Sequence, residues 1–327
     1  MRMTETVKQL LIINVIFYIG SNYVGDVTYQ LFALFSPDNP NFNYWQPLTS
    51  MFMHARFPNL MHIVFNMFAL ISFGSALEHF WGARKFLFFY ISCGLGAALL
   101  HMGVNYYQYH HALEILQQAN VPTEVINAVV KEGRYNNALL EIISLSDLEA
   151  MYSSYNIPAV GASGAIYGLL IAFAFMFPNA ELMMMFIPVP IKAKYFVPGL
   201  LVLDLVLGFK GSSIFGSGGT GLAHFAHLGG ALIGFLSVQN ITSSSNIINW
   251  TESLHQRVLG YFSGRKRGAK MKAQKGGGRV VKSDEEYNMD AKAKQERIDK
   301  ILDKISKSGY ESLTKAEKDF LFSQSNK

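Results

Sequence analysis

The chain has 327 residues, of which 50% are hydrophobic and only 16% are charged, and its net charge is +5. Soluble domains carry about 25% charged residues, so the composition argues against an ordinary soluble protein. The charges are sparse up to about Arg257 and dense beyond it, which indicates a membrane domain followed by a soluble tail. The single cysteine, Cys93, excludes an internal disulfide, so stability must come from packing and from the bilayer.

Six apolar segments are candidates for spanning helices, since a span needs roughly 20 mostly apolar residues. They are residues 9–33, 60–80, 86–107, 160–178, 195–210 and 222–241. The first segment is interrupted by polar residues between Gly20 and Asp26. These segments predict an all-α, polytopic membrane protein with a six-helix bundle over residues 1–243.

The distribution of basic residues predicts the orientation of this bundle. The basic residues that flank the spans are Arg2 and Lys8, Arg84 and Lys85, Lys192 and Lys194, and the run 265–279. All of them fall on one side if both termini are cytoplasmic, as the positive-inside rule requires. The long connection 108–158 then lies outside the cell.

The connection 108–158 is acidic and has a helical pattern, and we interpret it as an extracytoplasmic helical insertion. It either caps a site or meets a substrate, or it is a surface elaboration; the sequence leaves these alternatives open. No internal repeat is present, so the inverted-repeat architecture of secondary transporters finds no support.

Two apolar segments each carry one reactive side chain among glycines. Ser163 stands in Gly161-Ala-Ser-Gly-Ala-Ile-Tyr-Gly, and His227 stands in Ala-His-Leu-Gly-Gly-Ala-Leu-Ile-Gly. A serine hydroxyl becomes a nucleophile when an imidazole within hydrogen-bonding reach takes its proton. We expect a Ser–His dyad with Tyr167 packed against the imidazole, because Asp204, the clear carboxylate within a span, lies on a different helix.

The glycines around these side chains predict a close helix pair. Gly164 and Gly168 form one ridge, and Gly230 and Gly234 form the other. Small residues four apart allow the backbones of membrane helices to approach closely. We expect this contact to hold the hydroxyl and the imidazole together.

A second polar pair predicts the oxyanion-binding groups. His62 and Asn66 are four residues apart in an apolar span, so they share a helix face. Acyl transfer needs hydrogen-bond donors aimed at the developing oxyanion. His62, Asn66 and the backbone N–H of Ser163 are the candidates.

Other interpretations of these residues remain open. A Gly-Ala-Ser-Gly stretch is often a packing motif only, and an intramembrane histidine is often a packing or proton-relay residue. His224 and His227 suggest a metal site, but His-Glu-x-x-His and a cysteine partner are missing; we expect neither metal nor cofactor. Asp204 is interpreted as a residue that tunes helix packing or faces the interior of the bundle, without a chemical role. The histidines interpreted as loop or interface residues are His54, His79, His101, His110 and His111.

Several separated motifs resemble the rhomboid family of intramembrane serine proteases over about residues 40–240. The motifs are Trp45-Gln, His62-x-x-x-Asn66, Glu78 with Gly82-Ala-Arg84, Gly161-Ala-Ser163-Gly164 with Tyr167, and Ala226-His227-x-x-Gly230-x-x-x-Gly234. The resemblance implies that Ser163 and His227 form the dyad, supported by Gly161, Gly164 and Tyr167. It implies that His62 and Asn66 complete the oxyanion hole.

The resemblance also implies a fold and a substrate class. The expected fold is a compact six-helix bundle with a water-filled cavity open to the outside and an irregular loop at 34–58 lying partly in the membrane. The expected substrates are single-pass membrane proteins cut in or near their transmembrane helices, in the plasma membrane of a bacterium. No cofactor and no nucleic acid partner is expected.

Two other classes of function remain as alternatives. A non-catalytic chaperone or trafficking factor would keep the fold and bind transmembrane clients without cutting them. A channel or transporter would need more ionisable residues lining a pore than these spans provide.

Two features depart from the family pattern. Gln46 stands where arginine commonly follows the loop tryptophan, which leaves the anchoring of the loop in question. The insertion 108–158 is longer than the minimal pattern, which leaves substrate access in question.

The remaining chain is predicted as a basic linker, 244–283, and a helical hairpin, 284–327. The basic run favours anionic lipid or acts as a topology determinant. Within the hairpin, Thr314-Lys-Ala-Glu317 has the pattern of a capping box. A hairpin this small cannot form a stable core alone, so we expect it to dock on a partner, another copy or the membrane.

Overall fold

The computed structural model describes residues 2–184, 187–210 and 222–239, and in the tail residues 301, 304, 313, 314, 316 and 317. The chain divides into two compact units, Met1–Gly264 and Arg265–Lys327, which are described separately. The first unit, where described, is predominantly helical, as the sequence predicts.

Twelve α-helices are found among the described residues of the first unit. In chain order they are α1 (Glu5–Val24), α2 (Asp26–Phe32), α3 (Gln46–Thr49), α4 (Leu60–Ala69), α5 (Ser75–Trp81), α6 (Ala83–Gln118), α7 (Thr123–Glu132), α8 (Asn137–Leu140), α9 (Leu145–Asn156), α10 (Ser163–Met176), α11 (Ala193–Lys210) and α12 (Leu222–Val238). A π-helical turn, Leu70–Gly74, joins α4 to α5, and a 3-10 turn, Ser50–Phe52, follows α3.

Three helices in the described part are long and apolar enough to cross a membrane: Glu5–Val24, Leu60–Trp81 and Ala83–Gln118. The helices α10 and α12 are apolar but shorter. Two predicted boundaries differ from the structure. The first span, predicted at 9–33, runs through Gly20 and ends at Val24, because the backbone breaks at Gly25 with φ +80°. The third, predicted at 86–107, continues to the end of α6.

The all-α prediction is wrong between α10 and α11. Strands β1 (Glu181–Met184) and β2 (Ile187–Lys192) form an antiparallel pair with Glu181 opposite Lys192. The sequence signal for β2 is the alternation of β-branched residues at Ile187, Val189 and Ile191. This hairpin connects α10 to α11.

The centre of the bundle is the packing of α6, α10 and α12. A Cβ placed on Gly230 would lie 1.8 Å from the carbonyl oxygen of Gly164, and one on Gly234 would lie 2.7 Å from Cα of Gly168. A Cβ on Gly164 would lie 2.3 Å from Cβ of Ala97 on α6. The three helices therefore meet backbone against backbone, as small-xxx-small packing requires.

The insertion 108–158 is helical and has a hydrophobic cluster of its own. The cluster is built by the end of α6 and by α7, α8 and α9, and its buried members are Ala112, Leu116, Ile126, Val129, Val130, Leu139, Ile143, Leu148 and Met151. Helix α7 ends in a left-handed glycine, Gly133, with φ +65°. We call this group of helices the head.

The loop 34–58 is anchored by a neutral amide where the family commonly has arginine. Gln46 is fully buried, and its Nε2 donates to the carbonyl oxygens of Gln30 (2.9 Å) and Asn41 (2.7 Å). Its Oε1 accepts from the backbone N–H of Phe35 (3.3 Å). Gln46 thereby satisfies three backbone groups within and just before the loop, so the departure from arginine does not leave the loop unanchored.

The same loop is tied to the segment that leads into α10. Leu34 and Ala159 exchange two backbone hydrogen bonds of 2.9 and 2.8 Å. The amide of Gly161 donates to the carbonyl oxygen of Ser50 at 3.0 Å. These bonds fix the position at which α10 begins.

A buried carboxylate fixes the beginning of α1. Glu78 on α5 accepts hydrogen bonds from the backbone N–H groups of Thr6 and Val7 at 3.0 Å each, and from the Thr4 hydroxyl at 2.5 Å. The first N–H groups of a helix have no partner within it and favour negative charge. Glu78 therefore caps α1 from a distant part of the chain.

The second unit contains the predicted capping box. The Thr314 amide donates to Glu317 Oε2 (2.7 Å), and the Glu317 amide donates to Thr314 Oγ1 (3.4 Å). Lys304 pairs with the same carboxylate at 2.9 Å, and these contacts lower the pKa of Glu317 to about 2, the lysine contributing most. The other apolar positions of the predicted hairpin, apart from the buried Ile301 and Leu313, lie outside the described residues.

The glycine contact generates the first prediction. Gly230→Ala would place a methyl group against the carbonyl oxygen of Gly164. Overpacking of this kind lowers the free energy of unfolding by about 1–3 kcal/mol or more. We expect a lower Tm in detergent micelles. Gly103→Ala on α6 is the control, because a Cβ there has open space and alanine favours a helix. Equal Tm values for the two variants would contradict the close contact.

A second prediction concerns the loop anchor. Gln46→Leu keeps a side chain of similar size but leaves three buried backbone groups without their partner. Each unpartnered group lowers the free energy of unfolding by about 1–3 kcal/mol. We expect a clear fall in Tm, whereas Gln117→Leu, at an exposed position of α6, leaves Tm nearly unchanged. A Gln46→Leu protein as stable as the parent would show that the amide does not anchor the loop.

Candidate active site

Ser163 is the first residue of α10. Gly161, two residues earlier, has φ +134°, a conformation that side chains with a Cβ rarely adopt. A Cβ at that position would also lie 3.1 Å from Nε2 of His62 and 3.5 Å from Oγ of Ser163. Glycine is therefore required both by the backbone and by the space between these two side chains.

The structure brings Ser163 and His227 into hydrogen-bonding contact. Oγ of Ser163 and Nε2 of His227 are 2.8 Å apart. The close packing of Gly164 on Gly230, one turn or less from these residues, explains how side chains from two helices reach each other. Both side chains are half-buried.

Tyr167 covers one face of the imidazole, as the sequence predicts from its position one turn after Ser163. The rings of Tyr167 and His227 are stacked, with centroids 4.4 Å apart and an angle of 8° between their planes. Stacking holds the imidazole plane while leaving both ring nitrogens available for hydrogen bonds.

The expectation that no acid reaches this imidazole is wrong. Asp204 on α11 is buried, and its Oδ1 lies 3.2 Å from Nδ1 of His227. The same oxygen contacts Nδ1 of His224, one turn before His227 on α12. The helix α11 turns this carboxylate toward α12, which the chain order alone does not show.

His62 and Asn66 lie one turn apart on α4, and His62 lies beside the serine. Nδ1 of His62 accepts the backbone N–H of Ala55 at 3.1 Å, so the proton of the neutral ring is on Nε2. That nitrogen faces Gly161, next to the Ser163 hydroxyl. The Asn66 side chain is buried and donates to the carbonyl oxygen of His62 at 2.7 Å.

Two of the histidines interpreted as loop or interface residues are buried. His54 lies in the loop, and its ring centroid is 5.3 Å from that of His62. Burial, and to a lesser extent the neighbouring His62, lowers the pKa of His54 to about 3, so this ring is neutral at physiological pH. His101 is buried within α6, with its Nε2 3.1 Å from Nδ2 of Asn105.

Three side chains of the site also have the chemistry of a metal site. Asp204, His224 and His227 each offer one ligand atom, and these atoms lie within 4.8 Å of one another. Aspartate and histidine are zinc ligands. A metal on Nδ1 of His227 would leave the proton of the neutral ring on Nε2, which then could not accept a proton from Ser163. Metal binding through that atom and a basic role for His227 therefore exclude each other.

Sequence reasoning missed Asp204 and His224 as members of the site. The signal was present, because a carboxylate inside an apolar span is costly and usually has a named partner. What the sequence lacks is the rotation of α11 about its own axis, which decides whether the carboxylate faces α12.

Comparison with known proteins gives one match over most of the bundle. A family model described as the Rhomboid domain matches residues 41–241. A second, described as a family of unknown function (DUF6576), matches residues 282–327. The second match corresponds to the predicted tail hairpin and carries no functional information.

Individual relatives are similar over part of the chain. Rhomboid protease AarA of Providencia stuartii is 28% identical over 207 residues, which are 59% of this chain and 54% of that protein. An uncharacterized mitochondrial rhomboid protein of Schizosaccharomyces pombe is 26% identical over 178 residues, 50% of this chain and 43% of that protein. Rhomboid protein 1, mitochondrial, of Saccharomyces cerevisiae is 26% identical over 192 residues, which are 57% of this chain and 39% of that protein.

The matched region spans about half the length of these relatives or less. The Rhomboid domain match nevertheless covers more than half of the present chain and includes Ser163, His227, His62 and Asn66. The chain therefore belongs to the rhomboid family.

Proposed function

We propose that this protein is an intramembrane serine protease that cleaves membrane proteins in or near their transmembrane segments. The observation that carries the proposal is the 2.8 Å contact between Oγ of Ser163 and Nε2 of His227 at a half-buried position. Membership of the rhomboid family and the similarity to a rhomboid protease support it.

The geometry supports acyl transfer from a peptide carbonyl to the serine. The Ser163 hydroxyl attacks the carbonyl carbon while its proton moves to Nε2 of His227, which then gives that proton to the departing amine. Water attacks the acyl-enzyme in the second half of the reaction, with the same imidazole as the base. The partial exposure of both side chains is what admits this water.

The charge that develops on the carbonyl oxygen needs donors in place beforehand. Nε2–H of His62 faces the serine, because the Ala55 amide occupies Nδ1. The N–H of Ser163 is at the first position of α10, where helix amides have no partner within the helix. These two donors are proposed to form the oxyanion hole, with Asn66 completing it.

We further propose that six helices span the membrane: α1, the continuous helix Leu60–Trp81, α6, α10, α11 and α12. The flanking basic residues support cytoplasmic termini in the plasma membrane of a bacterium. In this orientation Ser163 and His227 lie toward the outer ends of their helices and the head lies outside.

The proposed substrates are single-pass membrane proteins. A transmembrane helix has its backbone groups already hydrogen-bonded, so a protease must unwind it before cutting. Substrates with small or helix-breaking residues near the outer end of the segment should be favoured. The tail, a separate compact unit, is proposed to bind lipid, a partner or a second copy.

The proposal predicts that purified protein in detergent reacts with a fluorophosphonate probe. Ser163→Ala removes the nucleophile and His227→Ala removes the base, so we expect labelling to fall to background in both. Cleavage of a model transmembrane substrate should fall by at least about 10³-fold. Gel fluorescence and product appearance measure the two effects.

The control is Ser72→Ala, since Ser72 lies in a span and bonds to the carbonyl oxygen of Phe68 away from the dyad. Labelling that survives Ser163→Ala would reject the assignment of the nucleophile. An unlabelled parent protein that still binds the substrate without cleaving it would indicate a client-binding rhomboid protein.

A separate prediction tests the oxyanion donors. His62→Phe keeps a ring but removes the Nε2–H donor, so we expect kcat to fall about 10²-fold with little change in KM. His79→Phe, at an exposed position near the end of α5, should leave both constants unchanged. A rise in KM with kcat unchanged would place His62 in substrate binding instead.

A further inference from the structure

Asp204 lies at the meeting point of two imidazoles. Its Oδ1 is 3.2 Å from Nδ1 of His227 and is in contact with Nδ1 of His224, and the Tyr167 side chain also faces the carboxylate. The aspartate is 4% exposed and His224 is 8% exposed. A carboxylate this deep in a membrane bundle is costly unless charged or polar groups pair with it.

The contact decides which nitrogen of His227 carries the proton. An ionised carboxylate can only accept a hydrogen bond, so Nδ1 of His227 is the donor to Asp204. The neutral ring then has an unprotonated Nε2, and that atom faces the Ser163 hydroxyl at 2.8 Å. This is the tautomer that a general base requires.

We propose that Asp204 is a positioning residue for catalysis, which holds His227 in its base tautomer, and that His224 in turn holds Asp204. The inference rests on the proposed protease function. During attack, the Ser163 proton moves to Nε2 and both ring nitrogens of His227 are protonated. Asp204 stays ionised and stabilises this cation, and the proton leaves from Nε2 to the amine product.

The geometry of the His227 contact argues for more than a structural role for this aspartate. His224 already joins the carboxylate of α11 to α12. The second imidazole, His227, is the one that also contacts the serine. Asp204 contacts Nδ1 of His227, and Ser163 contacts Nε2 on the other side of the ring. A carboxylate at Nδ1 orients an imidazole whose Nε2 is the proposed base.

The test is Asp204→Asn in the full-length protein, assayed with a transmembrane substrate in detergent and with a chelator present so that no ion occupies the three ligands. An amide can donate to Nδ1 and thereby favours the wrong tautomer. We expect kcat and the rate of fluorophosphonate labelling to fall by about 10²–10⁴-fold with KM changed less than about threefold. Asp204→Glu keeps the carboxylate and should recover part of the lost kcat.

The matched control is Glu78→Gln, the same chemical change at a buried carboxylate that binds the first turn of α1. We expect it to lower Tm without lowering kcat per folded molecule, the reverse of Asp204→Asn. If Asp204→Asn does not fold, His224→Phe provides the second variant, because it keeps a ring but removes the donor to Asp204, and we expect a smaller fall in kcat than in Asp204→Asn.

The outcomes separate this inference from the proposed function. Full kcat in Asp204→Asn, together with loss of activity in Ser163→Ala, would overturn the positioning role and leave a two-residue mechanism. Asp204→Glu with no more activity than Asp204→Asn, at equal Tm, would also count against it. Activity that survives Ser163→Ala would reject the protease mechanism itself.

Discussion

The contact between the backbones of α10 and α12 is the constraint on which the site depends. The carbonyl of Gly164 occupies the space where any other residue at 230 would have its Cβ. In a lipid environment there is little hydrophobic drive between helices, so close van der Waals packing of small residues holds them together. The same contact sets the 2.8 Å separation of Oγ and Nε2, because both side chains stand beside it. Stability and the proposed chemistry therefore depend on the same interface.

Around that interface, the two imidazoles of the site are held through ring nitrogens that do not face the serine. Nδ1 of His62 is occupied by the Ala55 amide, and Nδ1 of His227 is occupied by Asp204. Tyr167 covers the face of the second imidazole. Each imidazole is thereby left with Nε2 turned toward the serine. We propose that His62 is the donor and His227 the acceptor, because their Nδ1 partners have opposite polarity.

The sequence was sufficient for features that depend on local spacing. Glycines four apart predict the ridge contact, and the capping box in the tail is visible in four residues. It was insufficient for features that depend on the relative rotation of distant helices. Asp204 has exposed apolar neighbours, Leu203 and Leu205, so no polar stripe shows which way it faces. The insertion was predicted to be helical, but the continuity of α6 into it was not, because the apolar character of the helix fades near Tyr107 while its helical propensity continues.

The length of α6 has a mechanical consequence. At 1.5 Å per residue its 36 residues measure about 54 Å, whereas the hydrocarbon layer of a bilayer is about 30 Å thick. One end of this rod contributes to the small core of the head, and its middle touches α10 and α12 through Ala97 and Gly96. Helix α6 contains no proline, and its α-helical conformation is continuous from Ala83 to Gln118. A force applied to the head, for example by a bound protein, would therefore be transmitted without a hinge to the helix that supports the serine and the histidine.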